Sequence, residues 1–244
     1  MILERRVGVW GSSGYLGSRI LRHLRGNGYA ADELGRAELP AETGVVVDAS
    51  FPPTYKELAV RSSYLELVGR RAGWAKDTGA TYIYLASTSS IPPVTSVYGT
   101  VKGAAESIVL SSGGHLLRAG LVVSTIDPGG RLNQLASIIS HLPLVVVPAT
   151  TEFPVLVSTL EDLLDDVAEI VSGRGGTGHD QLVTGTRESS LAEVVADLVR
   201  PTRSIHVLPV PPSRLAAWVA RRLHFGLLDS LASIAGNPRS TSSI

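Results

Sequence analysis

The stretch Val7-Gly-Val-Trp-Gly-Ser-Ser-Gly-Tyr-Leu-Gly17, running on as Ser18-Arg-Ile-Leu-Arg-His-Leu24, decides the fold of this 244-residue chain. Val7 and Val9 flank Gly8, as a short buried strand requires. Gly11, Gly14 and Gly17 follow at three-residue intervals, and Leu16, Ile20, Leu21 and Leu24 recur at helical spacing. Strand, glycine turn and helix together give such glycines a mechanism. Gly11 allows a tight turn, Gly14 lets the backbone approach a pyrophosphate, and Gly17 lets the helix pack against the strand. The helix N-terminus adds free N–H groups and the positive end of a dipole. The segment Gly11, Ser12, Ser13, Gly14, Tyr15, Leu16 and Gly17 is therefore expected to hold a dinucleotide. An ordinary β-to-α turn that binds nothing can carry the same glycines, so the rest of the chain must decide.

Bulk properties narrow the choice. The length suffices for one α/β domain with a small appended lobe, and an apolar content of 44% is normal for a globular protein. Net charge is zero and basic residues never run beyond adjacent pairs, which argues against a nucleic-acid or membrane-surface partner. With no cysteine, thiol catalysis, disulfides and cysteine-ligated metals are excluded. The six histidines are scattered without metal-ligand spacing, so no metal is assigned. A strand pattern begins near the N-terminus and no apolar run reaches the ~18 residues of a membrane span, so a soluble, cytoplasmic protein is expected.

Further along, Gly26-Asn27-Gly28 stops the first helix and a second strand is expected within Tyr29–Arg36. The end of that strand reads the adenosine ribose in a dinucleotide fold. Arg36 lies at about the right distance, with Asp32 and Glu33 a little early. That favours NADP over NAD, though a solvated surface position suits Arg36 equally well. Val45-Val-Val-Asp-Ala-Ser50 reads as a buried parallel strand. Residues 18–44 are too few for a further complete crossover, so one βα unit is expected to be missing. A helix is expected over about 54–78, its apolar face formed by Leu58, Leu65, Val68, Ala72 and Ala75. A strand from Thr81 ends in the hydroxyl cluster Ser87-Thr-Ser-Ser90. Later elements are a strand at His115–Gly120, a turn at Asp127-Pro-Gly-Gly130 and a helix at Leu132–Ser140. Strands at 144–147, 155–157, 181–184 and 205–208 follow, with helices at 160–171, 191–200 and 212–222.

Tyr98 and Lys102 are four apart at the start of a predicted helix and share one face. A phenol is a poor acid or base at neutral pH, but a neighbouring cation stabilises the phenolate and makes proton exchange with a carbonyl or alcohol feasible. Ser87 or Thr88, at the strand end, can hydrogen-bond the same oxygen. A nicotinamide would then carry the hydride.

With these residues in place the chain resembles a shortened extended short-chain dehydrogenase/reductase, of the NAD-dependent epimerase/dehydratase family. The resemblance rests on Gly11-x-x-Gly14-x-x-Gly17, on the strand Tyr82–Thr88 and on Tyr98-x-x-x-Lys102. Leu117-Arg-Ala-Gly120 and Val155–Leu163 support it. It implies a Rossmann-type doubly wound parallel sheet, with about residues 1–125 as the dinucleotide-binding core. About residues 126–240 would form a small C-terminal substrate lobe with returning core elements. It also implies Thr88, Tyr98 and Lys102 as the catalytic residues, with Ser87 the alternative to Thr88, and Lys102 holding the nicotinamide ribose. Ala49, Ser50, Ala86 and Ser87 would line the cofactor site, and Thr88 and Arg131 would touch substrate, although Arg131 also suits a solvated position. Arg36-Ala-Glu-Leu39 is similar to the corresponding segment of dTDP-4-keto-6-deoxysugar reductases. Ser89-Ser90, where sugar 4,6-dehydratases carry Asp-Glu, argues against a dehydratase. The expectation is an NAD(P)-dependent oxidoreductase acting on a carbonyl or alcohol carbon of a nucleotide-activated sugar, with homodimers common in the family. An epimerase that keeps its NAD, or a non-catalytic NAD(P)-sensing or partner protein, are the alternatives.

Overall fold

The computed structural model describes residues 6–40, 43–92, 94, 96–124, 144–148, 155–173, 181–189, 193–194 and 206–210. In order, the elements are β1 (Val7–Trp10), α1 (Tyr15–Gly26), β2 (Ala31–Leu34), β3 (Val45–Asp48), α2 (Leu58–Thr78) and β4 (Thr81–Ser87). A 3-10 turn (Thr88–Ser90), α3 (Val97–Ser111), β5 (His115–Ala119), β6 (Leu121–Val123), β7 (Leu144–Pro148) and β8 (Val155–Thr159) come next. Then come α4 (Leu160–Val171), β9 (Gln181–Val183), β10 (Thr186–Ser189) and β11 (His206–Val210). The expected turn at 127–130, the helix at 132–140, most of the helix at 191–200, the helix at 212–222 and Arg131 lie outside the described residues.

Among the described residues the main sheet has six strands in the order β2-β1-β3-β4-β5-β9, all paired in parallel. This is the doubly wound Rossmann-type arrangement. Among the described residues no helix lies between β2 and β3, in line with the expected missing βα unit, and β2 is at the edge of the sheet. β6, β8 and β10 form a second sheet, and β7 pairs with β11.

Period-two alternation sorts the central strands into two cores. Val7, Val9, Val45, Val47, Ile83, Leu85 and Leu117 face α1 and α4, where Ile20, Leu24, Leu163 and Val167 meet them. Trp10, Val46, Tyr82, Tyr84, Ala86 and Leu116 face α2 and α3, against Tyr64, Val68, Ala72, Val101 and Ala105. Each buried aliphatic side chain stabilises the fold by roughly 1.5–3 kcal/mol, so both faces hold the helices.

The local signals behave as their chemistry requires. Gly28 and Gly79 adopt left-handed backbone just beyond α1 and α2. α4 starts at Thr159, whose hydroxyl accepts from the Asp162 N–H, and Glu161 and Asp162 sit at its positive end. Three expectations need correction. β4 stops at Ser87, and Thr88–Ser90 turn as a 3-10 helix because Ser87 Oγ accepts from the Ser89 N–H. Leu58 is exposed, and Tyr64 and Arg71 occupy the buried face of α2 in its place. β6 and β10 appear where no strand is expected. No helix among the described residues is long and apolar enough to cross a membrane.

Candidate active site

In-register pairing brings the carboxyl ends of β1 to β5 to one edge, with Trp10 beside Leu34 and Asp48, Asp48 beside Tyr84, and Ser87 beside Ala119. Ligands bind outside this edge in open α/β sheets. Gly11 leaves β1 with φ +78°, and a Cβ there would lie 2.7 Å from the Ser50 nitrogen. A Cβ on Gly17 would collide with the Gly11 carbonyl, and Gly14 N–H closes the turn by donating to that same oxygen at 2.9 Å. α1 then begins at Gly14 with no side-chain cap and no acidic residue in its first turn. A tight glycine turn against an uncapped helix N-terminus fits a pyrophosphate. Ser12 to Leu16 line this loop, and Ala49 and Ser50 form the wall that Gly11 touches. Arg36 is exposed, two residues beyond the end of β2.

Tyr98 and Lys102 lie further along the same edge. Ser96 caps α3 by accepting from the Gly99 N–H at 3.0 Å, which fixes the first turn carrying Tyr98. Gly99 packs so closely on the Ser89 carbonyl that a Cβ would not fit, locking α3 onto the turn that carries Thr88. The Tyr98 ring packs edge-on against Phe51 at 5.0 Å and against Tyr55 at 5.8 Å. Lys102 is buried, donates from Nζ to the Leu85 carbonyl at 2.7 Å, and lies over the rings of Phe51 (4.9 Å) and Tyr84 (4.6 Å). Phe51 thus touches both members of the pair. Burial pulls the Lys102 ammonium down from 10.5 to about 8, partly opposed by the Asp48 and Glu106 carboxylates. At neutral pH it remains a cation packed on two aromatic faces. Thr88 is buried in the 3-10 turn, and Ser87, also buried, spends an acceptor on capping that turn. Ala86 is buried on the α2/α3 face.

Beneath this edge is a polar centre that the sequence did not announce. Asp48 and Arg71 are both fully buried and paired, Arg71 NH1 donating to Asp48 Oδ2 at 2.8 Å. Asp48 Oδ2 also accepts from the Tyr82 hydroxyl at 2.9 Å, and Oδ1 accepts from the Ser50 N–H (2.9 Å) and hydroxyl (2.6 Å). Arg71 NH1 donates to Ser50 Oγ at 2.8 Å, NH2 donates to the Arg36 carbonyl at 2.7 Å, and the guanidinium stacks on Trp10 at 4.4 Å. Burial, reinforced by Asp48, holds the Tyr82 and Tyr64 phenols well above their ordinary range, so both stay neutral. A second pair, Arg118 to Glu106 at 2.7 Å, joins β5 to α3, and Glu106 also accepts from Ser90. Arg118 is therefore structural. The available signals for the first centre were an Asp closing an all-valine strand and an Arg at an inward position of α2.

No protein-family model matches the chain, and no curated protein matches it by sequence. Solved structures do match its fold. A dTDP-4-dehydrorhamnose reductase from Clostridium acetobutylicum superposes with a TM-score of 0.70 at 14% identity, over 84% of each chain. The dTDP-4-dehydrorhamnose reductase from Bacillus anthracis, solved with NADP, gives 0.68 at 14% identity, over 86% of each chain. UDP-glucuronic acid 4-epimerase from Bacillus cereus, solved with NAD, gives 0.62 at 11% identity, covering 84% of this chain and 87% of that one. The fold of this chain is thus the one that these nucleotide-sugar reductases and epimerases share.

Proposed function

We propose that this chain is a shortened extended short-chain dehydrogenase/reductase that binds NADP(H) and reduces the keto group of a nucleotide-activated sugar. The observation that carries this reading is Lys102. An ammonium pulled down to about 8 by burial, sharing the Phe51 ring with Tyr98, is the kind of perturbed group that clusters at functional sites. The uncapped glycine turn fits the pyrophosphate, and Arg36 offers a cation to a 2′-phosphate. The bound nicotinamide supplies the hydride. Tyr98 gives its hydroxyl proton to the substrate oxygen as the alcohol forms, and Lys102 stabilises the phenolate left behind. Thr88 donates a hydrogen bond that orients the same oxygen. The fold is shared by reductases and epimerases alike, and the similarity of Arg36-Ala-Glu-Leu39 to the segment in dTDP-4-keto-6-deoxysugar reductases supports reduction.

The test is Tyr98→Phe, assayed by NADPH consumption with a dTDP-4-keto-6-deoxysugar. Turnover is expected to fall roughly 10²–10⁴-fold, with NADPH affinity unchanged. Full activity in the variant would overturn the assignment. Inversion of a UDP-sugar without net NADPH consumption would replace reductase by epimerase.

A further inference from the structure

The missing βα unit leaves a structural problem on the adenosine side of the site. Among the described residues between the edge strand β2 and β3, 35–40 and 43–44, there is no crossover helix to pack the loop that carries Arg36. Two buried donors from the α2/α3 side of the sheet hold it instead. Arg71 NH2 donates to the Arg36 carbonyl at 2.7 Å, and Trp10 Nε1 donates to the Glu38 carbonyl at 3.0 Å. Glu38 closes the loop on itself by accepting from the Gly35 N–H at 2.8 Å. The Arg71 guanidinium is fixed in turn by Asp48, by Ser50 Oγ and by the face of Trp10.

We infer that Arg71 is a positioning residue for cofactor choice. Locked by Asp48, it anchors the backbone of Arg36 and so aims that side chain at the 2′-phosphate of NADP, replacing the omitted crossover. The inference rests on the reading of Arg36 under the proposed function. An arginine recognises a phosphate through fixed donor directions, and the exposed Arg36 side chain has its own Cα region as its fixed point. NAD lacks the 2′-phosphate, so loosening that point should affect the two cofactors unequally. A purely structural ion pair would weaken both alike.

The experiment compares the wild-type chain with Arg71→Lys and with Trp10→Phe. Lysine keeps the buried charge paired with Asp48 but cannot reach Asp48 and the Arg36 carbonyl together. Trp10→Phe removes the other loop anchor without touching a charge, which guards against a variant that fails to fold. Two readouts are taken: backbone amide exchange over residues 35–40 in the free protein, and dissociation constants for NADPH and NADH. Arg71→Lys is expected to speed exchange in that loop at least tenfold, while α1 and β3 stay protected. It should weaken NADPH at least tenfold and NADH less than twofold. Unchanged loop exchange would overturn the inference whatever the cofactor does, as would equal weakening of both cofactors. Faster loop exchange in a chain whose wild type binds neither cofactor would keep Arg71 as the loop anchor, overturn its part in cofactor choice, and remove the function on which that part rests.

Discussion

The two faces of the central sheet are built from alternate residues of the same strands, yet they differ in kind. The face towards α1 and α4 is aliphatic, with Val7, Val9, Val45, Val47, Ile83, Leu85 and Leu117 in contact with Ile20, Leu24 and Leu163. The face towards α2 and α3 carries Trp10, Tyr64, Tyr82 and Tyr84, with Asp48, Arg71, Lys102 and Glu106 buried among or beside them. Buried charges are costly unless paired and hydrogen-bonded. The proposed reacting pair and the loop that carries Arg36 are held from the charged side, while the other face is aliphatic throughout. Under the proposed function, the pleat of the sheet separates most of the chemistry from a face that serves stability alone.

The sharpest way to break this division is to damage the aliphatic face. Leu24→Ala, at a fully buried position of α1, is expected to destabilise the protein by roughly 2–5 kcal/mol. Denaturant unfolding would measure it, and turnover per folded molecule should be unchanged. A large loss of turnover in the folded fraction would show that the faces are not independent.

The reverse prediction concerns Lys102. At about 1.4 kcal/mol per pH unit, lowering its ammonium from 10.5 to about 8 costs about 3 kcal/mol at neutral pH. Lys102→Met also loses the hydrogen bond to the Leu85 carbonyl, worth about 1 kcal/mol. The variant should therefore be more stable by about 2 kcal/mol at pH 7, and inactive. The pH dependence has a definite sign. Below pH 8 folded and unfolded wild type both hold the proton, so the full difference is present. Between about pH 8 and 10.5 the folded wild type releases a proton that the unfolded chain keeps, so wild type gains stability as pH rises and the difference closes. Unfolding curves from pH 7 to 10.5 check it.

The aliphatic face was legible in the sequence because buried parallel strands write themselves as unbroken apolar runs, and the glycine turn because strand, spaced glycines and helical periodicity follow one another directly. The edge strand β2, Ala31-Asp-Glu-Leu34, was harder to place, since Asp32 and Glu33 face solvent. β10, Thr186-Arg-Glu-Ser189, is three-quarters exposed and carries no apolar pattern. Tyr98 and Lys102 were placed on one helix by their four-residue spacing, and α3 carries both. Asp48 and Arg71 were not, because a charged residue is read as surface until its partner, 23 positions away in sequence, is seen across the core. Leu58 and Arg71 show the same limit in opposite directions: helical periodicity identifies a stripe, and tertiary packing decides which residues complete it.

The central claim is that the carboxyl edge of this sheet binds a nicotinamide dinucleotide beside Tyr98 and Lys102. Fluorescence titration of the purified protein with NADPH and with NADH, side by side, tests it most directly. Saturable binding of both, tighter for NADPH, is the predicted result. Binding of neither would contradict the account, because the glycine cradle, Arg36 and the buried lysine would then have no ligand to serve.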